Sequence, residues 1–352
     1  QWVDTDLGFA EDDYVGCDVL RGLGYCYNGQ ATDGSGQAWA YGDQPPAIGV
    51  DFFQGPYLDP DGFDNPSFTA QLEREGTVGP SFDENCSIVS LDGVVMQMEH
   101  KVDGQTRIDS FLVLSEAING VNFGDGIKDN ERFGMRRFVY HNNSGVADYM
   151  TDPDYAPEYY NFLRGIWKDG TKMEYGGNAH FGQGGAYGPE CDFMFPGDSD
   201  PCFWGTGGAP PNGDVYWSEV TANNNPYDRR FMQSAGPFTL QPGAVNYITV
   251  GIPWARASSG GPWASVELLR VVDDKCQALF DNCFAVVSGP NAPDLTVREL
   301  DRELIFYITN RMTNDVGNNF NEAYEEVDPN IKSPDTLGPD EQYDNTYNFE
   351  GY

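Results

Sequence analysis

Residues 234–255 read SAGPFTLQPGAVNYITVGIPWA, and this stretch decides the expected fold. Two apolar runs, 236–240 and 245–252, flank the turn signal Gln241-Pro242-Gly243, a pattern that predicts a pair of β-strands. In the next segment, 264–281, apolar side chains recur every three or four residues, which predicts an amphipathic helix. The segment therefore indicates a β-rich core that carries one long helix.

Short strands between loops rich in Gly, Pro and Asp are expected in the rest of the chain. Residues 1–60 have a loop-like composition, because glycines interrupt them and Pro45-Pro46 ends any helix. Only 47–53 suggests a strand there. The other expected elements are a hairpin over 86–99 that turns at Asp92-Gly93, a short helix over 158–168, and strands at 107–114, 136–141, 295–297 and 303–308. The predicted class is mainly β, with a β-sandwich-like core, a few short helices and long loops.

The charge of the chain excludes several kinds of partner. The 352 residues include 55 Asp and Glu against 20 Lys and Arg, which gives a net charge of −35. Such a charge opposes binding to nucleic acid or to an anionic membrane. The sequence also lacks an apolar run long enough to span a bilayer. We therefore expect no nucleic-acid partner and no membrane insertion.

The seven cysteines suggest an oxidising compartment. Six of them form three pairs that are close in sequence: Cys17 with Cys26, Cys191 with Cys202, and Cys276 with Cys283. None of the spacings matches a zinc site, and short disulfides among loops are the favoured interpretation. Buried free thiols are the alternative. The third pair would be about 10.5 Å apart on one continuous helix, too far for a bridge unless the helix ends between them. Cys86 is left over.

Several stretches resemble a group of large secreted bacterial surface proteins. The strand pair and helix at 234–281 carry the resemblance, together with VGCDVLRGLGYCYNG (15–29), PPAIGVDFFQGP (45–56) and FGDGIKDNERFGMRRFVYHNN (123–143). Proteins of this kind are typically exported through the type IX secretion route. The resemblance implies an extracellular or cell-surface location and brings no established activity with it.

The C-terminal part resembles the start of a fibronectin type III domain. APDLTVRELDRELIFYITN (292–310) is similar to its strands A and B, and TYNFEGY (346–352) is similar to the start of strand C. Phe306 or Tyr307 stands where strand B characteristically has a tryptophan. The resemblance implies a β-rich domain at 1–289 and a partial fibronectin type III-like sandwich at 290–352. A partial sandwich leaves an open edge, to which a neighbouring chain can add a strand.

Three groups of acidic residues suggest calcium binding. Two loops place carboxylates at alternate positions around a glycine turn, and a third group lies between Cys191 and Cys202. Clusters of hard oxygen ligands suit Ca²⁺, although neither loop fits the EF-hand pattern. The alternative is turn formation, which Asp, Asn and Gly favour without any ion. The candidate ligands are Asp59, Asp61 and Asp64 in the first loop, Asp125, Asp129 and Glu131 in the second, and Asp192, Asp198 and Asp200 in the third group.

Motifs for catalysis are weak. The sequence contains neither GxSxG nor HExxH, so serine hydrolases of that type and zincin proteases are not indicated. With 55 acidic residues, a glycosidase carboxylate pair arises by chance and carries little weight.

Asp335-Thr336-Leu337 resembles the short O-glycosylation motif of the same secreting bacteria, which predicts a glycan on Thr336.

These patterns predict a non-enzymatic structural or adhesive module of a secreted cell-surface protein. A variant of this prediction is one subunit of an extracellular fibre. Its expected partners are other copies of itself, other surface proteins or glycans. Two alternatives stay open. A glycan-active hydrolase would show two carboxylates in a deep cleft, and a carbohydrate-binding module would show a row of exposed aromatic side chains.

Overall fold

The computed structural model describes residues 1–62, 64, 94–102, 105–113, 119–123, 125–207, 209, 211, 216–284, 294–309, 324–328 and 347–351. The chain divides into two compact units, Gln1–Gln277 and Ala278–Tyr352. The domain boundary expected after residue 289 lies outside the described residues.

Antiparallel strands dominate the described residues, which confirms the mainly β class. The strands are β1 (Trp2–Asp4), β2 (Asp13–Asp18), β3 (Leu23–Asn28), β4 (Thr32–Asp33), β5 (Gly42–Asp43), β6 (Ala47–Gln54), β7 (Val94–Val102), β8 (Gln105–Val113), β9 (Arg137–His141), β10 (Arg230–Ser234), β11 (Thr249–Gly251), β12 (Trp254–Ala255), β13 (Asp294–Leu300), β14 (Glu303–Thr309), β15 (Tyr324–Asp328) and β16 (Tyr347–Gly351). The α-helices are α1 (Ala156–Leu163) and α2 (Pro262–Asp281), and short 3-10 helices cover Ala10–Asp12, Asp148–Met150 and Pro201–Thr206.

The first unit is built on two sheets. One has the order β11-β6-β3-β2, with β12 also paired to β6, and the other has the order β1-β10-β9. The sheets meet at Gly24 of β3, where a Cβ atom would lie 2.7 Å from the ring of Phe231 and 2.9 Å from the ring of Phe138. A side chain at this position would therefore force the two layers apart.

Strands β2 and β3 are buried at every position, because the sheet is covered on both faces. One face belongs to the larger core, which includes Val15 and Phe138. The other face packs against α2, where Tyr25 shares a cluster with Val266 and Leu269. Strands buried on both faces show no alternation of polar and apolar residues. The loop-like interpretation of residues 1–60 was therefore wrong for these two strands.

The decisive stretch at 234–255 is only partly as expected. Helix α2 is confirmed and begins two residues before the predicted start. Residues 236–240, predicted to be a strand, form none, because Pro237 has no N–H for a ladder and Gly236 has φ 110°. The strand that precedes these residues is β10, which ends at Ser234. Strand β11 is shorter than the strand predicted at 245–252.

A network of charged groups joins α2 to the sheet. Arg270 on the helix pairs with the buried Asp18 at 2.9 Å, and Arg21 bridges Asp18 and Asp274 at 3.0 and 2.8 Å. Asp51 and Asp273 are both buried close by. Burial, and then repulsion from Asp273, raises the pKa of Asp51 to about 8. Burial, and then repulsion from Asp274 and Asp18, raises the pKa of Asp273 to about 7.

The outer edge of β2 is covered by the long segment that precedes β10. The N–H groups of Val15, Cys17 and Val19 donate to Glu219 Oε1 at 2.8 Å, Phe195 O at 3.3 Å and Ser199 Oγ at 2.9 Å. Covering an edge in this way removes a template for unwanted strand pairing.

A buried ion pair anchors that segment. The Arg229 guanidinium donates to both carboxylate oxygens of Glu219 at 2.9–3.1 Å, and both side chains are almost inaccessible to solvent. The guanidinium also lies 4.9 Å from the centre of the Tyr140 ring. The pair therefore links the covering segment to the core of the first unit.

The three expected disulfides are replaced by free thiols at Cys17, Cys26, Cys191, Cys276 and Cys283. Cys17 lies opposite Gly24 and Cys26 opposite Val15, so the two cysteines are diagonal neighbours across the strand pair. Diagonal positions are about 7–8 Å apart, beyond the usual reach of a disulfide.

The other two pairs are unbridged as well. Cys276 lies inside α2, and Cys283 follows the end of the helix with φ 54°. Because Cys191 is free, its expected bridge to Cys202 is absent. Burial raises the pKa of Cys191 well above its usual range, which keeps its thiol protonated and unreactive. Cys86 lies outside the described residues.

We expect Asp51→Asn to change the pH dependence of stability. The pKa of Asp51 is higher in the folded state than in the unfolded chain, so stability falls as the pH rises from about 4 to about 8. The substitution should raise the free energy of unfolding by about 1–3 kcal/mol at pH 8 and have little effect at pH 5, as measured by urea denaturation. The control is Glu267→Gln, at an exposed position of α2. An unchanged pH slope in Asp51→Asn would contradict this account.

Removing one member of the buried ion pair should be costly. Arg229→Ala leaves the Glu219 carboxylate buried without its partner, which we expect to lower the free energy of unfolding by about 3–5 kcal/mol. Lys172→Ala, which breaks an exposed pair with Glu190 at 2.7 Å, should cost less than about 1 kcal/mol. Equal losses in chemical denaturation would show that the Arg229 pair does not anchor the fold.

Candidate functional site

The two aspartate-rich loops predicted as separate calcium sites lie together in the structure. Asp129 Oδ1 accepts hydrogen bonds from the N–H groups of Asp61 and Gly62 at 2.7 and 2.8 Å. In the opposite direction, the N–H of Gly126 donates to Asp64 Oδ2 at 2.7 Å. We call this region the joined loops, residues 59–62 and 64 with residues 125–131.

Three other predicted ligands of these loops have different surroundings. Asp59 accepts a hydrogen bond from the N–H of Thr239 at 2.7 Å, and hydrogen bonding from the Thr239 side chain and then from this N–H lowers the pKa of Asp59. Asp125 accepts hydrogen bonds from Ile127 and Asn130 within its own loop. Glu131 is buried. Carboxylates that accept from backbone N–H groups are typical of turn formation, and calcium binding by the joined loops stays a prediction.

The third predicted group is divided among other partners. Asp192 accepts from Arg136 at 2.7 Å, and Asp198 accepts from Arg270 at 3.0 Å. Asp200 begins the 3-10 helix Pro201–Thr206 and accepts from the N–H groups of Trp204 and Gly205 at 2.9 and 3.0 Å. Burial raises the pKa of Asp200 to about 7. These three side chains form ion pairs and a helix cap, and calcium binding by this group stays a prediction.

A different acidic group brings its oxygens together. Within the described residues, Asp4, Asp6 and Asp228 alone form a set of three or more potential His, Cys, Asp or Glu ligands whose atoms lie within 4.8 Å of one another. Arg230 pairs with Asp4 at 2.7 Å and with Asp228 at 3.4 Å, so part of the negative charge is already balanced. Sequence reasoning missed this group because its members come from opposite ends of the first unit.

The larger cleft of the first unit is basic and apolar. It has a volume of about 810 Å³ and lies beside α1 and the segment that follows β10. Arg137, Arg164 and Lys172 reach it, together with apolar side chains such as Phe238 and Ile248. Among the residues that the structure describes, no Asp or Glu lines it, so they do not offer the carboxylate pair of a glycosidase here.

A shallower hollow of about 460 Å³ does contain acids. Lys168 pairs there with Asp154 at 3.3 Å, and Asp169 contacts His180 Nε2 at 2.8 Å. Partial burial acts to raise the pKa of Asp169, but hydrogen bonds from His180 and Thr171 outweigh it and hold the pKa below the usual value. A general acid needs a raised pKa. Asp169 therefore does not suit that role.

The aromatic residues of the loops do not share one environment. Trp217 is fully buried, and Trp204 packs against the larger core. Trp39 is 64% exposed and contacts Phe9, while Tyr41 lies beside Arg256. Trp204 and Trp217 therefore pack against or within the core and do not belong to an exposed row of aromatic side chains of the kind that binds sugars.

Comparison with protein-family models, with curated proteins and with solved structures finds no significant match for this chain. The resemblances to type IX surface proteins and to fibronectin type III domains stay predictions. None of the described helices has the length and apolar character needed to cross a bilayer. Thr336, the predicted glycosylation site, lies outside the described residues.

We expect Asp129→Ala to separate the joined loops. The substitution removes the acceptor of two backbone N–H groups, so the amides of Asp61 and Gly62 should exchange with solvent about tenfold faster, as measured by hydrogen exchange. Ca²⁺ should slow this exchange in the unsubstituted protein and have no effect in the variant. Asp125→Ala is the control, since Asp125 bonds only within its own loop in the contacts described above. Unchanged exchange at Asp61 and Gly62 would contradict the prediction.

Proposed function

We propose that this chain is a non-enzymatic structural or adhesive module of an extracellular surface protein, and that copies of it associate through one face of the β13–β14 hairpin. The support comes from the apolar character of that face. Other surface proteins and glycans are further partners that such a module would meet.

The register of the hairpin separates its two faces. Leu295 pairs with Ile308, and Val297 pairs with Phe306, so these four side chains lie on one face together with Leu304. They are 47–69% exposed. The opposite face carries Thr296, Arg298 and Tyr307, with the Arg298 guanidinium 5.8 Å from the centre of the Tyr307 ring. Glu299, opposite Leu304, also lies on the first face, and Ile305, opposite Arg298, also lies on the second. The hairpin thus has one mainly apolar face and one mixed face.

An exposed apolar face of this kind favours association. A two-stranded hairpin is marginally stable in water by itself, and it gains stability when an apolar face is covered. Contiguous apolar patches on soluble proteins commonly mark interaction surfaces. Pairing with the same surface of another copy would bury five large side chains from each partner without requiring a different protein.

The charge of the chain constrains such an assembly. Two copies with a net charge of −35 repel each other, and dissolved ions weaken that repulsion. Ca²⁺ is effective because it binds carboxylate oxygens directly, and extracellular calcium sites work at millimolar affinity. We therefore propose Ca²⁺ as the ion that permits association, with the joined loops among its binding positions.

The test compares Val297→Asp with Thr296→Asp in sedimentation velocity experiments with Ca²⁺ present. The two positions are adjacent and exposed but lie on opposite faces. Val297→Asp should weaken self-association at least tenfold, because it places a charge within the apolar face. Thr296→Asp should have a much smaller effect. A protein that stays monomeric at high concentration with Ca²⁺, or equal effects of both substitutions, would contradict the proposal.

A further inference from the structure

Four buried polar side chains meet where β2 begins and β3 ends. Asp13, the first residue of β2, lies directly opposite Asn28, the last residue of β3. Asp12 precedes Asp13, and Asp33 ends the short strand β4. Each of the four residues is at most 3% exposed. Opposite residues of antiparallel strands have their Cβ atoms about 4.5–5.5 Å apart, so Asp13 and Asn28 are neighbours.

The hydrogen bonds of these side chains leave three oxygens unused. Asp12 Oδ2 accepts from the N–H of Gly34 at 2.9 Å, and Asp13 Oδ2 accepts from the N–H of Leu7 at 3.1 Å. The Asn28 amide donates to Gln30 O at 2.8 Å. The other oxygen of each side chain is buried and has no hydrogen-bond partner in the part of the chain that the structure describes: Asp12 Oδ1, Asp13 Oδ1 and Asn28 Oδ1.

Negative charge accumulates here without a visible counter-charge. Both oxygens of Asp33 accept backbone N–H groups, from Phe9 at 2.8 Å and from Tyr41 at 2.5 Å. Burial raises the pKa of Asp13 to about 9. The N–H of Leu7 and the thiol of Cys26 act against this rise, while Asp12 and Asp33 add to it by repulsion. The pKa of Asp12 is raised mainly by burial and also by Asp33, while the N–H of Gly34 and the side chain of Asn28 act against this rise. No Lys, Arg or His is among the groups that act on Asp12 or Asp13.

Some other buried acids of the first unit are balanced by arginine, whereas Asp51 and Asp273 form no ion pair with the described residues and have raised pKa values instead. Glu219 is paired with Arg229, and Asp18 is paired with Arg21 and Arg270. An unbalanced buried carboxylate is costly, and the usual solutions are a proton, a basic partner or a metal ion. For Asp12 and Asp13 the basic partner is absent from the described surroundings, which leaves a proton or a metal ion.

We propose that Asp12, Asp13 and Asn28 form a buried site for one calcium ion, to which each contributes its unused oxygen. Carboxylates together with an Asn amide oxygen are the hard ligands that Ca²⁺ prefers, and Asp33 supplies a third negative charge beside them. The site shares no residue with the joined loops, and it does not depend on the proposed association. The ion would hold together the start of β2, the end of β3 and the segment around β4.

The experiment measures calcium binding and thermal stability of the full chain after removal of divalent ions with EDTA. Isothermal titration calorimetry gives the number of bound calcium ions and their affinity in the unsubstituted protein, in Asp13→Asn and in the control Asp43→Asn. Asp43 lies at an exposed position of β5. Asp13→Asn keeps the size of the side chain and removes one charge. We expect it to lose one bound ion, or to bind that ion at least tenfold more weakly, while Asp43→Asn binds as the unsubstituted protein does.

Stability measurements separate a ligand from a residue that only supports the fold. In EDTA, Asp13→Asn should melt at the same temperature as the unsubstituted protein or higher, because an amide replaces a carboxyl group that is costly to bury without a partner. Added Ca²⁺ should then raise the melting temperature of the unsubstituted protein far more than that of the variant. A residue with a purely structural role would lower stability in EDTA and leave the calcium response unchanged.

A second variant keeps the proposal open to refutation if Asp13→Asn does not fold. Asn28→Asp adds a charge to the same site, so we expect tighter calcium binding and lower stability in EDTA. Equal stoichiometry and affinity in all variants would overturn the proposal. So would a calcium-insensitive protein whose stability in EDTA increases toward low pH, since a proton would then balance these carboxylates. Loss of ions only in joined-loop variants would also overturn it, without touching the proposed association.

Discussion

The buried ion pair between Glu219 and Arg229 is the contact on which the first unit depends. Glu219 accepts hydrogen bonds from the guanidinium of Arg229 and from the N–H of Val15, which lies in β2, the edge strand of the main sheet. The Glu219 side chain thus joins the covering segment to β2 of the main sheet and, through Arg229, to the start of β10 in the second sheet. Because both charges are out of contact with water, neither can be lost without leaving the other unbalanced. The arrangement closes an edge that would otherwise be open.

Excess acid is the second constraint, and the structure balances it in several ways. Arg21 and Arg270 balance Asp18, backbone N–H groups serve Asp129 and Asp200, and raised pKa values leave Asp51 and Asp273 partly protonated near neutral pH. With only 20 basic residues for 55 acidic ones, arginine cannot serve every site. The calcium ions proposed for the joined loops and for the start of β2 would supply positive charge that the chain itself lacks.

The two units present different surfaces. The first combines a closed core with acidic loops, whereas the described hairpin of the second exposes a mainly apolar face. This combination supports the proposed structural or adhesive role. The described residues that line its larger cleft include no carboxylate, and its shallower hollow contains an acid with a lowered pKa. Neither arrangement favours the glycan hydrolase alternative.

The sequence by itself determined the mainly β class, the helix at Pro262–Asp281, and the strands at Ala47–Gln54 and Glu303–Thr309, because their periodicity and turn residues are local signals. The tertiary structure alone decided that β2 and β3 are strands, since burial on both faces erases alternation. It also decided that Cys17 and Cys26 lie diagonally and stay unbridged. Finally, it decided which carboxylates meet. Asp4 approaches Asp228, and Asp13 faces Asn28, only because strand pairing brings distant residues together, a relation that no local pattern encodes.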